Sequence, residues 1–277
     1  MRASGTSPRA RPIESISPNL RESEAANVRM RYLIISDIHA NYEALRAVLV
    51  SAKGDYEEIV CCGDLVGYGP DPDLVTDWVR ENVKCVIRGN HDRACSGLES
   101  ADQFNEAARV AAYWTLNHLK PENIEYLKGL PAGPMEIGGQ FDILHGSPRD
   151  EDEYVTASQE ASECFLLLRH VVSFFGHTHL QGGFLRTTRG NVLLLPMGVQ
   201  RESAYRMLEI HPEEGYYLNS GSVGQPRDRD PRAAFVIYDT KGYVEYRRVP
   251  YDVETTIRKM QEAALPEFLA YRLSVGR

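Results

Sequence analysis

The stretch that decides the fold is Tyr32-Leu33-Ile34-Ile35-Ser36-Asp37-Ile38-His39, a short apolar run ending in two residues able to bind a cation. An apolar run of that length, bounded by polar residues, reads as a buried strand. Downstream of it, Tyr42 to Ala52 places Leu45, Val48 and Leu49 at helical spacing, and Glu58 to Cys62 reads as a second strand. Pro72 can open a helix carrying Leu74, Val75, Trp78 and Val79 on one face, and Val83 to Ile87 reads as a third strand. Strand, helix, strand, helix, strand is the pattern of a parallel α/β sheet.

The later chain reads differently. Ala101 to Leu119 is a helical stretch with Phe104, Ala108, Ala111 and Leu116 inward, and Asn123 to Leu127 is a shorter helix closed by Gly129 and Pro131. Met135 to Ile137 and Phe141 to Leu144, split by Gly138-Gly139, predict a hairpin. Gln159 to Arg169 reads as a helix and Val171 to Phe175 as a buried strand. Two more hairpins follow, Gly183 to Thr188 with Val192 to Leu195, and Ala233 to Tyr238 with Tyr243 to Val249. Val253 to Leu265 is a closing helix. Parallel units first and hairpins later predict an α/β protein of two packed, mostly mixed sheets with helices outside. No repeat or low-complexity linker interrupts residues 30–277, which are expected to form a single domain. Residues 1–29, rich in Ser, Pro, Arg and Glu and without hydrophobic periodicity, are expected to be a disordered tail.

Composition narrows the function. Of 277 residues, 43% are hydrophobic, enough for a sizeable core, and 25% are charged. No apolar run reaches the roughly 20 residues that cross a bilayer, and the N-terminus has no apolar signal segment. A net charge of -8 argues against a general nucleic-acid binder, which needs a basic stripe. Five cysteines show no paired spacing, so free thiols in a reducing cytoplasm are expected. Nothing in the sequence indicates an oligomeric state.

Five motifs carry the chemistry, and five of the eight histidines fall inside them. Asp37-Ile38-His39 follows the first strand, where side chains two apart share a side and could reach one ion. Gly63-Asp64 follows the second, and a carboxylate there can bridge two ions. Gly89-Asn90-His91-Asp92 follows the third. Asn90 offers a neutral carbonyl ligand, and His91, pointing elsewhere, is free to give a proton to a leaving oxygen. Asp92 could hold the His91 imidazole oriented and charged. His145-Gly146 and Gly176-His177-Thr178-His179 follow two further apolar strands. Each motif alone is common: a helix cap, a turn, a structural histidine. Their conjunction at strand carboxyl ends predicts one shared site for two metal ions. His118, His170 and His211 lie outside these motifs and read as surface or structural residues.

In these blocks and their order, the sequence resembles the calcineurin-like metallophosphoesterase family from about residue 31 to 250. Ser36 to Asn41, Gly63 to Pro70 and Asn219 to Arg227 are similar to its compact bacterial phosphoesterase branch. The resemblance implies a four-layer fold, a two-sheet sandwich flanked by helices. It implies that Asp37, His39, Asp64 and His179 hold one metal and that Asp64, Asn90, His145 and His177 hold the other, with Asp64 bridging. His91 would be the proton donor and Asp92 its partner. Ala40 stands where many relatives carry glycine, and 190–217 is a possible insertion near the site.

The expected reaction is hydrolysis of a phosphate ester, as phosphatase or phosphodiesterase, on a small phosphoester or nucleotide. A hydroxide held between two divalent ions would attack in line while His91 protonates the leaving oxygen. Nitrogen and oxygen ligands without thiolate suit Mn, Fe, Co, Ni or Zn. About four positive charges against Asp37 and Asp64 leave roughly +2, which favours a phosphate. Arg93, Arg149 and Arg227 are candidates for holding a second phosphate or the leaving group, Arg149 foremost, and Asn41 for hydrogen-bonding phosphate. A nuclease, a serine/threonine protein phosphatase and a metal-binding scaffold without chemistry are the competing readings.

Overall fold

The computed structural model describes residues 29–277. Apart from Arg29, the segment read as a disordered tail lies outside the described residues.

Two six-stranded sheets form the centre. The first has the order β3-β2-β1-β11-β12-β9, with β1 Arg31–Ile35, β2 Glu58–Cys61, β3 Cys85–Val86, β9 Tyr205–Glu209, β11 Ala233–Asp239 and β12 Tyr243–Val249. The second has the order β4-β5-β6-β10-β7-β8, with β4 Met135–Ile137, β5 Phe141–Ile143, β6 Val172–Phe175, β7 Gly182–Arg186, β8 Val192–Leu195 and β10 Gly215–Asn219. Strands β1, β2 and β3 run parallel, as do β5, β6 and β10, while the remaining pairings are antiparallel. The expected pair of mixed sheets is the observed architecture.

β1 shows why its sequence takes this place. Its even residues Tyr32 and Ile34 face the second sheet and pack with Phe141, Phe174, Val236 and Tyr246. Its odd residues Leu33 and Ile35 face the helices, among Leu45, Val48, Val75 and Val79. A strand buried on both faces loses the apolar/polar alternation and reads as a continuous apolar run. Each such side chain contributes about 1.5–3 kcal/mol when buried.

The helices on the first sheet are α1 Tyr42–Ser51, α2 Pro72–Asn82, α3 Asn90–Ser96, α4 Glu106–His118 and α5 Pro121–Lys128. The short helix α6, Ser158–Cys164, covers the second sheet through Ala161 and Cys164, which pack on Phe175 and Tyr217. Helices α7, Val253–Glu262, and α8, Glu267–Val275, form a third cluster with α4 around Tyr68. Among the described residues no helix is long and apolar enough to cross a membrane. The cysteines are unpaired, all buried except the half-buried Cys85.

Several expectations are corrected. Leu74, assigned to the inward face of α2, is 48% exposed. The stretch from Ala101 is a 3-10 turn, Ala101–Gln103, and α4 starts afresh behind Asn105, whose side chain caps Ala108 N at 3.1 Å. The helix expected to run to Arg169 ends at Cys164. Residues 190–217 contain β8, β9 and part of β10, and β10 sits inside the second sheet between β6 and β7.

Candidate metal centre

Every motif residue sits just beyond a parallel strand: Asp37 and His39 after β1, Asp64 after β2, Asn90 and His91 after β3, His145 after β5, His177 and His179 after β6. The carboxyl ends of β1, β2 and β3 in one sheet meet those of β5 and β6 in the other, so the loops converge. Asp37, His39, Asp64 and His179 offer ligand atoms within 4.8 Å of one another, as do Asp64, His145 and His177. Asp64 is common to both groups, and all six residues are buried.

The local geometry differs from the strand-based expectation. Asp37 and His39 lie in a turn and not on β1, with φ of 53° and 48°. Asp64, His177 and His179 also adopt left-handed backbone, at 54°, 64° and 60°. Five side-chain-bearing residues in this costly region, all in one cluster, mean the surrounding structure holds them there. Part of that hold is visible: Asp37 N donates to Gly63 O at 2.9 Å and His39 N to Asp64 O at 3.0 Å. Glycine is required where loops touch. A Cβ on Gly89 would sit 2.1 Å from Asp64 Oδ1, and one on Gly176 would sit 1.9 Å from Ser36 Oγ and 2.7 Å from Asp37 Oδ2.

Backbone carbonyls set the tautomer of four imidazoles. Nδ1 of His39 donates to Val66 O (3.0 Å), Nδ1 of His145 to Cys62 O (2.8 Å) and Nδ1 of His179 to Gln225 O (2.7 Å). His177 is the reverse, with Nε2 donating to Asp152 O at 2.9 Å. A carbonyl only accepts, so each ring keeps its other nitrogen for a cation. This is the arrangement that orients metal-binding histidines.

Charge in the cluster follows from burial. Burial drives His39 well below its ordinary 6.5, and burial with the Arg227 charge does the same to His179. Burial takes His177 down to about 3 and His91 to about 4. His145 moves the other way: burial opposes its charge, but the Asp64 carboxylate 3.4 Å away carries it up to about 10. Burial also works against the charge on Asp64, yet His145 and His91 hold it well below the usual carboxylate range. Asp37 is raised, by burial and by Asp64, with His145 opposing.

These residues fit a pair of cations. Asn90 Oδ1 is buried without a hydrogen-bond partner, a cost that a bound cation would remove. Two carboxylates, an amide oxygen and four imidazoles with no thiolate form a donor set for divalent transition metals.

His91 adjoins the cluster and is 4% exposed. Its backbone N–H donates to Asp64 Oδ1 at 2.9 Å, and its ring packs against Tyr68, Phe104 and His39 with centroids 4.3, 4.7 and 4.9 Å away. Asp92 does not partner this ring. Its oxygens accept from the backbone N–H groups of Asp64, Leu65 and Gly89 at 2.9 Å and of Val66 at 3.3 Å, and His91 Nδ1 has no partner. Asp92 ties the β2 loop to the β3 loop.

Three further candidates are engaged elsewhere. Asn41 caps α1 through Ala44 N (3.1 Å), donates to Gly224 O (2.9 Å) and Tyr251 OH (3.1 Å), and accepts from Thr256 Oγ1 (3.2 Å), so its amide is spent on packing. Arg149 is a surface residue paired with Glu153 and Glu163. Arg93 is buried against Glu99 (3.0 Å), Glu151 (3.0 Å) and Asp152 (2.5 Å), which anchors the loop whose Asp152 carbonyl holds His177. Arg227 does reach the site: it donates to Tyr68 OH at 3.2 Å and its charge lowers His91 and His179.

Motif reading missed Tyr68, Asp152 and Gln225. Tyr68 had a signal, an aromatic residue between Gly67 and Gly69 directly after a ligand block. Asp152 and Gln225 act through main-chain carbonyls, which no side-chain pattern reveals.

A two-sheet sandwich that gathers buried carboxylates, imidazoles and an amide at its strand ends defines a metal-binding α/β protein. The profile of the calcineurin-like phosphoesterase family matches residues 30–195. The chain is 39% identical to a metallophosphoesterase of Sphaerobacter thermophilus, whose crystal structure superposes with a TM-score of 0.78 over 90% of this chain and 100% of that one. An uncharacterized protein of Methanocaldococcus jannaschii is 35% identical over 254 residues, 90% of this chain and 100% of the relative. A hypothetical protein of Pyrococcus horikoshii, 20% identical, shares the fold with a TM-score of 0.70 over 89% of this chain and 98% of that one. The chain belongs to the calcineurin-like phosphoesterase family and is a phosphoric ester hydrolase.

Proposed function

We propose that the protein is a two-metal phosphatase or phosphodiesterase acting on a small phosphoester, nucleotides included. The observation that carries this reading is the sharing of Asp64 between two buried ligand groups. Asp37, His39, Asp64 and His179 would hold one ion, and Asp64, Asn90, His145 and His177 the other. When bound, such ions polarise phosphoryl oxygens and bring the pKa of a water near neutrality.

The chain's own part is to hold, orient and protonate. Backbone carbonyls fix the imidazoles, so little reorganisation accompanies binding. His91 would give its proton to the leaving oxygen, held beside the ligands by its N–H on Asp64 and by Tyr68 and Phe104. In the protein alone burial keeps this ring neutral, with a pKa near about 4. A phosphoester anion alongside supplies the counter-charge that raises its proton affinity. Arg227 would bind phosphate oxygens through its planar fork.

The test is hydrolysis of a panel of mono-, di- and dinucleotide phosphates with Mn, Fe, Co, Ni or Zn in turn. Turnover that requires one of these ions is expected, and none on any member would end the reading. His91→Ala should retain metal while turnover on an aryl phosphate ester falls by about 10²–10⁴. Full activity in that variant would remove His91 from its role.

A further inference from the structure

Tyr154 stands at the mouth of the metal centre. Its ring centroid lies 3.9 Å from that of His177, with the two planes 37° apart, and the residue is 50% exposed. One face of the ring therefore covers a buried ligand, and the other meets solvent. At its far end the Tyr154 hydroxyl hydrogen-bonds Arg227, whose guanidinium also donates to Tyr68 OH at 3.2 Å. The Tyr68 ring in turn lies 4.6 Å from His39 and 4.3 Å from His91. Tyr154 thus reaches from His177 towards the side of the cluster that holds His39 and His91.

The flanking residues hold it there. Before it, Glu151 pairs with Arg88 (2.9 Å) and Arg93 (3.0 Å), and Asp152 O accepts from His177 Nε2 at 2.9 Å. After it, Val155 is buried in one cluster with Phe175 and Tyr217. An aromatic side chain anchored on both sides can bind another ring at little conformational cost, and the bound ring would take its exposed apolar face out of water. A phosphoryl group held by the ligand set would lie beside His177, so the group esterified to it would come next to Tyr154.

We propose that Tyr154 is a specificity-determining residue whose free face stacks on a planar aromatic ring of the substrate. The substrate is then a phosphoester of a nucleoside or of an aromatic alcohol, not a simple alkyl phosphate. This rests on the reading of the metal centre as the site of phosphoester hydrolysis. It deepens that reading by naming the group that the ester carries.

The test is calorimetric titration of metal-loaded protein, freed of excess metal, with two matched pairs of ligands. Phenylphosphonate against cyclohexylphosphonate sets a planar ring on the phosphorus. Adenosine phosphorothioate against ribose phosphorothioate sets a base one sugar away. The pair that responds separates an aryl from a nucleoside substrate. The wild type should prefer the aromatic member of at least one pair by about 3–10-fold, the worth of a stacked ring, and Tyr154→Ala should abolish that preference. Tyr154→Phe keeps the ring and should keep the preference. No preference in the wild type, one that survives in Tyr154→Ala, or one that Tyr154→Phe also loses, overturns the stacking role. If Tyr154→Ala no longer retains metal, Tyr154→Leu decides: it keeps apolar cover over His177 without an aromatic face, and a preference retained there overturns the proposal. Failure of the hydrolysis panel would end the parent reading. The phosphonate titrations report on Tyr154 whichever way that panel falls.

Discussion

His39 Nε2 lies 3.1 Å from His179 Nε2, with each ring's Nδ1 committed to a backbone carbonyl. Both rings are neutral, since burial holds them well below 6.5. Two nitrogen lone pairs therefore face each other, an arrangement that repels unless a cation lies between them. The spacing suits neighbouring ligands on an ion with bonds of about 2.0–2.1 Å.

Metal should therefore act as a folding ligand. Addition of Mn or Zn at about 100 times its Kd is expected to stabilise the protein by about 2.7 kcal/mol, and a chelator should reverse this. Differential scanning calorimetry with and without metal measures it. Superimposable transitions would count against a cation between His39 and His179.

Gly176 has no room for a methyl group, because Ser36 Oγ and Asp37 Oδ2 occupy its Cβ position. Gly176→Ala should push Asp37 out of the cluster and weaken metal affinity by about 10–100-fold, a loss of the size seen when groups that orient ligands are removed. Competition with a chromogenic chelator reads the change. An unaltered affinity would show that the β6 loop moves freely over β1.

Asp92 binds four backbone N–H groups and leaves the His91 ring alone. Asp92→Asn places an amide against donors and should cost about 2–3 kcal/mol of stability in urea unfolding. A variant as stable as the wild type but shifted in the pH profile of turnover would return Asp92 to the role of imidazole partner.

Glu151 ties Arg88 (2.9 Å) and Arg93 (3.0 Å) to the loop that supports His177. Burial opposes its charge, but the two arginines lower its pKa below the ordinary 4.5. A carboxylate with a lowered folded pKa contributes stability above its unfolded pKa and loses it as pH falls through the folded value. The thermal midpoint should thus drop on acidification below about pH 4.5, and Glu151→Gln should be lower at neutral pH with a flatter acid limb. Parallel acid limbs in the two proteins would remove Glu151 from the account.

Strands with regular patterns were legible, and so were the residues at their ends. β10 escaped notice because Gly215–Asn219 opens on a glycine and closes on an asparagine, which leaves only Tyr216 to Leu218 as an apolar run. α8 escaped because Pro266 ends the preceding periodicity and the new helix starts directly behind it. β9 is an exposed edge strand whose polar and apolar residues give no inward face.

The amino-acid order alone determined that Asp, Asn and His would stand at the carboxyl ends of buried strands, because short apolar runs and the residues after them are local facts. Which atoms those side chains bind was decided by the packing of the sheets. Asp92 and Asn41 are sound candidates by residue type, yet loops brought close only by the fold supply Asp92 with the N–H groups of Asp64, Leu65 and Val66 and Asn41 with Gly224, Tyr251 and Thr256, while Arg149 is taken up by Glu153 and Glu163 nearby in sequence. Tyr68 shows the same dependence on packing: a helix near the end of the chain, distant in sequence from every motif, closes over it beside His39 and His91. A side chain's hydrogen-bonding capacity is intrinsic, but its partners belong to segments that meet only in three dimensions.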